Sequence, residues 1–248
     1  QLPTYIIDCK QIKRSELLRY ISAAYQIGYN SIRLINTPEK IGYEEKPSKL
    51  VPILEIVQKV CNTFVGLEIM QVENNQILLE AVTLPSIDCF SNSVNKCFQI
   101  LEQMVDYHSK DMKENVLLAE ENLNKFAITS IRILHLFPEI ENSKNHHLII
   151  SLLEYCGDII KNRSKSEEKI NKETKEVLEK LKEIIEELRV IYFKFEKSKL
   201  SEVIMKIKCT EEKIKNKKSD LSKDFPLFSE SLAHISQACL EITILNKN

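Results

Sequence analysis

The sequence predicts an α+β fold: a small β-α-β-α-β-β domain over residues 1–84, then an all-α region of two three-helix bundles over 85–248. Three observations predict it. Glycine and proline number only 4 and 7 in 248 residues, which favours helix. Short apolar runs that read as strands lie before Pro85, and no strand is read after it. Beyond Pro85, apolar residues recur at three- and four-residue steps, the period of a helix face.

Thr4–Cys9 (TYIIDC) reads as a strand. Ser15 is a plausible N-cap for a helix striped by Leu17, Leu18, Ile21, Ala24 and Tyr25 and ended by Gly28. Ser31–Ile35 (SIRLI) is a second strand, and Asn36–Glu45, with Pro38 and Gly42, reads as a loop. Pro47 and Ser48 open a helix through Val51, Leu54, Val57, Val60, Cys61 and Phe64, with Pro52 tolerable in its first turn. Leu67–Val72 and Ile77–Val82 are strands joined at Asn74-Asn75, since Asn tolerates a left-handed backbone.

The first long helix carries Ile87, Phe90, Val94, Cys97, Leu101, Met104 and His108 at 3-4-3-4 spacing. The second runs from Val116 to Phe137 and stops near Pro138. The third runs from Asn145 to about Lys165. Leu148, Leu152, Cys156, Ile159 and Ile160 form its apolar face, and Glu154 and Asp158 stack four apart. Gly157 lies between those acids at a cost of about 1 kcal/mol against Ala, so a closely packed neighbouring helix is expected there. The fourth helix, Ile170–Leu200, has a heptad-like seam of Val177, Leu181, Ile184, Leu188, Ile191 and Phe195. A Lys-rich fifth reaches about Leu221, and a sixth starts at Pro226 with Phe228, Leu232, Ile235, Cys239 and Ile242. Short interruptions favour antiparallel bundles over a long coiled coil, which would make 167–221 one extended rod.

Net charge is −1, which selects neither nucleic acid nor membrane as partner. Residues 161–220 carry 18 basic and 13 acidic side chains, and the remainder 17 and 23. The basic stretch holds Lys206, Lys208, Lys213, Lys215, Lys217, Lys218 and Lys223. Interleaved Glu211, Glu212, Asp220 and Asp224, and no aromatic residue, mark it as a solvated helix face rather than a nucleic-acid surface. Seven cysteines, with no C-x-x-C pair, fit reduced thiols used as small hydrophobes in a cytoplasmic protein. No apolar run approaches a membrane span, and no signal peptide is evident. Starting at Gln1 rather than Met, the chain is expected to lack an upstream segment. Phosphate loops, H-E-x-x-H, G-x-S-x-G and dinucleotide fingerprints are absent from the sequence, so an enzyme is not expected. Adjacent His146 and His147 do not share a helical face and make poor ligands together; they read as surface or first-turn histidines.

The helical region repeats: a long helix, a polar helix with clustered acids, then an apolar helix, about 85–165 and again 166–248. Aligning Leu123 with Ile214 pairs Asn124 with Lys215, and the third helices pair Glu154 with Ala233 and Asp158 with Gln237. Leu153–Asn162, LEYCGDIIKN, resembles the L-E-R-I-G-D-H-A-x-N-I motif of the PhoU family of phosphate-uptake regulators. Glu121-Asn-Leu-Asn124 resembles that family's D-x-x-[IV]-[ND] motif. Leu17–Leu34 and Val57–Glu80 are similar to the α+β domain of the archaeal subgroup, which an AbrB-type DNA-binding segment precedes. The resemblance implies non-enzymatic, negative control of phosphate uptake in the cytoplasm. The partners it implies are a phosphate transporter or sensor kinase, within a homodimer. DNA is implied only if an AbrB-like segment lies upstream. Family members hold metal clusters on such carboxylates. The second acidic motif is degenerate here, so at most one ion is expected, at Glu121, Asn124, Glu154 and Asp158. An oxygen-rich set suits magnesium, manganese or iron, and the family adds zinc.

Overall fold

The computed structural model describes residues 3–42, 50–166, 170–216 and 225–245. It is α+β, as the sequence predicts. Two compact units form: Gln1–Phe90 with Ile128–Pro138, and Ser91–Ala127 with Glu139–Asn248. The boundary therefore differs from the expected break at residue 84. Two helices contribute to both units: Cys89–Ser109 gives its first two residues, and Lys113–Leu136 its last turns, to the α+β unit.

In the first unit, β1 (Tyr5–Asp8), α1 (Arg14–Ile27), β2 (Ser31–Ile35), α2 (Ile53–Cys61), β5 (Leu67–Glu73) and β6 (Gln76–Ala81) follow the expected order. The sheet runs β1-β2-β6-β5, with β1 and β2 parallel and the remaining pairs antiparallel. Alternate residues Ile7, Ile32, Leu34, Ile77 and Leu79 are buried, as a sheet covered on one face requires. Leu17, Ile21 and Tyr25 of α1 and Ile56, Val57 and Val60 of α2 complete that core. Gly28 ends α1 at φ 111°, a left-handed cap. Asn74 and Asn75 form the hairpin tip at φ 21° and 65°.

Three local expectations change. The N-cap of α1 is Lys13, not Ser15; Glu16 Oε2 accepts from the Lys13 N–H at 2.9 Å. The presumed loop contains a second sheet, β3 (Lys40–Gly42) paired with β4 (Leu50–Pro52). Helix α2 starts at Ile53, with Pro52 preceding it, and Leu54 is exposed rather than core. Pro47 and Ser48 lie outside the described residues.

The six long helices are α3 (Cys89–Ser109), α4 (Lys113–Leu136), α5 (Ser143–Ser164), α6 (Lys172–Phe193), α7 (Lys197–Asn216) and α8 (Phe225–Leu245). Each matches an expected helix. Helix α6 ends where the sequence reading continued it, so 172–216 is not one rod. Helix α7 packs back on α6, and Lys206 pairs there with Glu187. The two helix triplets are not separate bodies. Tyr192 of α6 lies 5.7 Å from the ring of Phe98 on α3, and Arg189 Nε donates to Glu102 Oε1 at 2.8 Å. Helix α5 also packs against α8. The predicted stripes on α3, α6 and α8 are buried, save Ile87, which is exposed, and Phe195 and Ile242, which are half-buried.

Candidate functional site

The face of α5 is set by Ile149, Ile150, Leu153, Cys156, Gly157 and Ile160, all buried. Of the expected apolar stripe Cys156, Ile159 and Ile160 are buried and Leu152 is half-buried, while Leu148 is 44% exposed. Gly157 does answer to a close neighbour. A Cβ there would lie 2.4 Å from Leu123 Cδ2 on α4 and 3.6 Å from Met104 Cε on α3. Three helices thus meet at Gly157, where an added Cβ would push the Leu123 side chain aside.

That close approach brings a polar network together beside it. Glu120 of α4 is 7% exposed. Lys161 of α5 donates to Glu120 Oε1 at 2.7 Å and also to the Asp158 carboxylate. Asn124 Nδ2 donates to the same Glu120 oxygen at 2.6 Å. Burial opposes the charge on Lys161. Its hydrogen bonds and the charges of Asp158 and Glu120 outweigh that and hold its pKa above the ordinary value. Glu154 is half-buried; burial, then the negative charges of Asp158 and Glu120, push its carboxyl up.

Of the expected ligands, Asn124 and Asp158 enter this network and Glu154 feels its field. Glu121 is exposed. The acid that faces α5 is Glu120, one position earlier and about 100° around the helix. An ammonium bridges two of the carboxylates, so a divalent cation would have to displace it. Among the described residues no group of three or more His, Cys, Asp and Glu side chains is placed to hold one.

His146 is half-buried rather than a surface residue. Its Nδ1 and the Tyr192 hydroxyl are hydrogen-bonded at 2.7 Å, and burial pushes its pKa down to about 4. His147 is exposed. Cys156 is core, with its thiol pushed up to about 12 by burial. Cys9, Cys61, Cys97 and Cys239 are also buried and in no disulfide, while Cys89 and Cys209 are exposed. In the basic stretch, Lys206 pairs with Glu187 and Lys208 and Lys213 are exposed. Lys217, Lys218, Asp220, Lys223 and Asp224 lie outside the described residues, as does the side chain of Lys215.

Sequence reasoning missed Arg132, which is fully buried in the α+β unit. Its guanidinium donates to the backbone carbonyls of Tyr25 and, at 3.1 Å, Tyr29, and to Asn30 Oδ1 at 2.6 Å. It also lies 4.2 Å from the Tyr25 ring centre. A cation thus caps the carbonyl end of α1, where the helix dipole is negative. The available signal was one charged residue inside the apolar run Ile128–Leu136, since Arg is rarely fully buried.

No family model, no curated protein and no solved structure matches the chain. No helix among the described residues is long and apolar enough to cross a membrane.

Proposed function

We propose that this chain is a non-enzymatic regulator of phosphate uptake of the PhoU type. It acts in the cytoplasm on a phosphate transporter or its sensor kinase, and restrains uptake when phosphate is plentiful. DNA enters only through an AbrB-like segment upstream. The observation that carries this reading is the joint between α4 and α5. Beside the positions that resemble the family's two motifs, Gly157 meets Leu123 of the facing helix and Lys161 reaches across to Glu120, which Asn124 holds from its own helix. The folding back of α7 on α6 favours a bundle that presents faces to partners over an extended scaffold.

Deleting the gene from its host tests the reading. Phosphate uptake in phosphate-rich medium is expected to rise several-fold and to return to normal on complementation. Unchanged uptake in the deletion strain overturns it.

A further inference from the structure

The four-stranded sheet of the α+β unit has two edges, and they are not alike. β5 shifts register between Ile69 and Gln71 and carries Glu68 and Glu73, a bulge and charges of the kind that keep an edge from pairing. β1, the other edge, pairs with β2 without a shift and carries Ile6 at 59% exposure. The Cys9 N–H donates to the Ile35 carbonyl at 2.9 Å, so the backbone of Cys9 is turned toward β2. Alternate residues of a strand turn their backbone groups to opposite sides. Ile7 therefore also faces β2, and Ile6 and Asp8 offer their N–H and C=O groups at the open edge. Among the described residues no strand pairs with β1 on that side.

A groove of about 510 Å³ follows this edge. Ile6 and Asp8 reach it from the strand, and Glu16 and Tyr20, about one turn apart on α1, from the helix. Tyr20 is 49% exposed and gives the groove an aromatic wall. The end near the turn between β1 and α1 is acidic. There Asp8 and Glu16 stand with the single ammonium of Lys10. Each carboxylate has one oxygen tied down. Asp8 Oδ1 accepts from the Lys10 N–H at 3.0 Å and from Asn36 Nδ2 at 3.1 Å, and Glu16 Oε2 from the Lys13 N–H at 2.9 Å. The Lys10 N–H, then the Asn36 amide, hold the Asp8 carboxyl below its ordinary range, so it stays charged at neutral pH.

We propose that an extended segment of a partner protein adds to β1 as a fifth strand, with a basic side chain set against Asp8 and Glu16. The free backbone groups of Ile6 and Asp8 lie about 6.6 Å apart, the repeat of another strand and not of a helix. Main-chain hydrogen bonds supply the attraction, and side chains beside the groove supply the selection. Alternate apolar side chains of the segment lie along Tyr20, and its cation meets carboxylates whose geometry is already fixed. This inference is independent of the phosphate reading.

Fluorescence anisotropy with the intact chain tests it. The probes are two labelled hexapeptides of alternating Val and Thr, with Arg at the first or the last position. One of them is expected to bind in the micromolar range, since only two residues of β1 are free to pair. Replacing its Arg by Glu is expected to weaken binding about tenfold. Ile6→Pro removes an N–H that β2 does not use, and edge strands accept proline. That variant is expected to keep the circular dichroism of the unmodified chain and to bind about tenfold more weakly. N-methylation of the peptide backbone is expected to abolish binding to the unmodified chain. Failure of both peptides, binding that survives N-methylation, or equal binding of the Arg and Glu peptides overturns the proposal. So does full binding by a folded Ile6→Pro variant. A dimeric chain that Ile6→Pro turns into a monomer assigns the edge to a second copy and overturns it as well.

Discussion

The two helix triplets began as similar patterns and hold their neighbours differently. Leu123 and its counterpart Ile214 are both fully buried, so the apolar frame is common to both. Around Leu123 the polar groups reach across helices: Lys161 to Glu120, and Asn124 to that same carboxylate from its own helix. In the second triplet the counterparts of Glu154 and Asp158, Ala233 and Gln237, are exposed. Gln237 donates along its own helix to Glu241 at 3.0 Å. Gly157 has Ser236 as counterpart, and that hydroxyl donates to the Ala233 carbonyl at 2.7 Å, also within its helix. A bundle tolerates replacement of cross-helix polar contacts by local ones as long as the apolar positions stay.

The largest break in that comparison is expected from Gly157→Leu. The added side chain must displace Leu123 in a closed core, and overpacking of this kind costs about 3 kcal/mol. Chemical denaturation should show it as a lower midpoint at unchanged slope. Lys161→Met is expected to cost about 1–3 kcal/mol, because Glu120 is left buried with only Asn124 to satisfy it. Gln237→Ala, at the matching place in the second triplet, should stay within about 0.5 kcal/mol. Equal losses at the two sites would remove the distinction.

Acid sensitivity should also separate the halves. Burial depresses His108, beside the charge of Arg163, and His146 from 6.5 to about 4. A depressed folded pKa gives stability that is present above 6.5 and lost as pH falls toward 4. His108→Gln and His146→Gln are expected to flatten that acid limb, read as Tm against pH. The smallest effect is expected at Glu154. Its carboxyl is raised in the fold, so its contribution is present below the ordinary 4.5 and lost as pH rises through the folded value. Glu154→Gln should raise Tm near neutrality and leave it unchanged below 4.5.

The long elements were legible because each repeats its apolar signal over several turns. Helices α3, α4, α5 and α8 and strands β2, β5 and β6 were found close to their bounds on that basis, while α6 ends at Phe193, short of the expected Leu200. Strands β3 and β4 were not, because each buries a single residue, Ile41 or Val51, and one residue makes no pattern. Of the expected site residues, Asn124 and Asp158 fall in the polar network and Glu121 does not. Glu120 and Glu121 are adjacent acids, and only the facing helix decides which of them turns inward. Leu148 failed for the same reason against Ile149 and Ile150. Lys161 passed unnoticed because lysine near a helix end is ordinary, and its value comes from two acids brought to it by packing.

Arg132 carries a consequence for synthesis. The last strand of the α+β sheet ends at Ala81, yet the unit is completed by Ile128–Pro138, whose final residue follows 57 positions later. At about 5–20 residues per second, translation delivers that piece roughly 3–11 s after the strand. Until then the carbonyls of Tyr25 and Tyr29 have no guanidinium. The nascent sheet waits on the ribosome for a helix encoded well downstream, and a chain truncated at residue 84 would keep its strands but lack the cation that seals the end of α1.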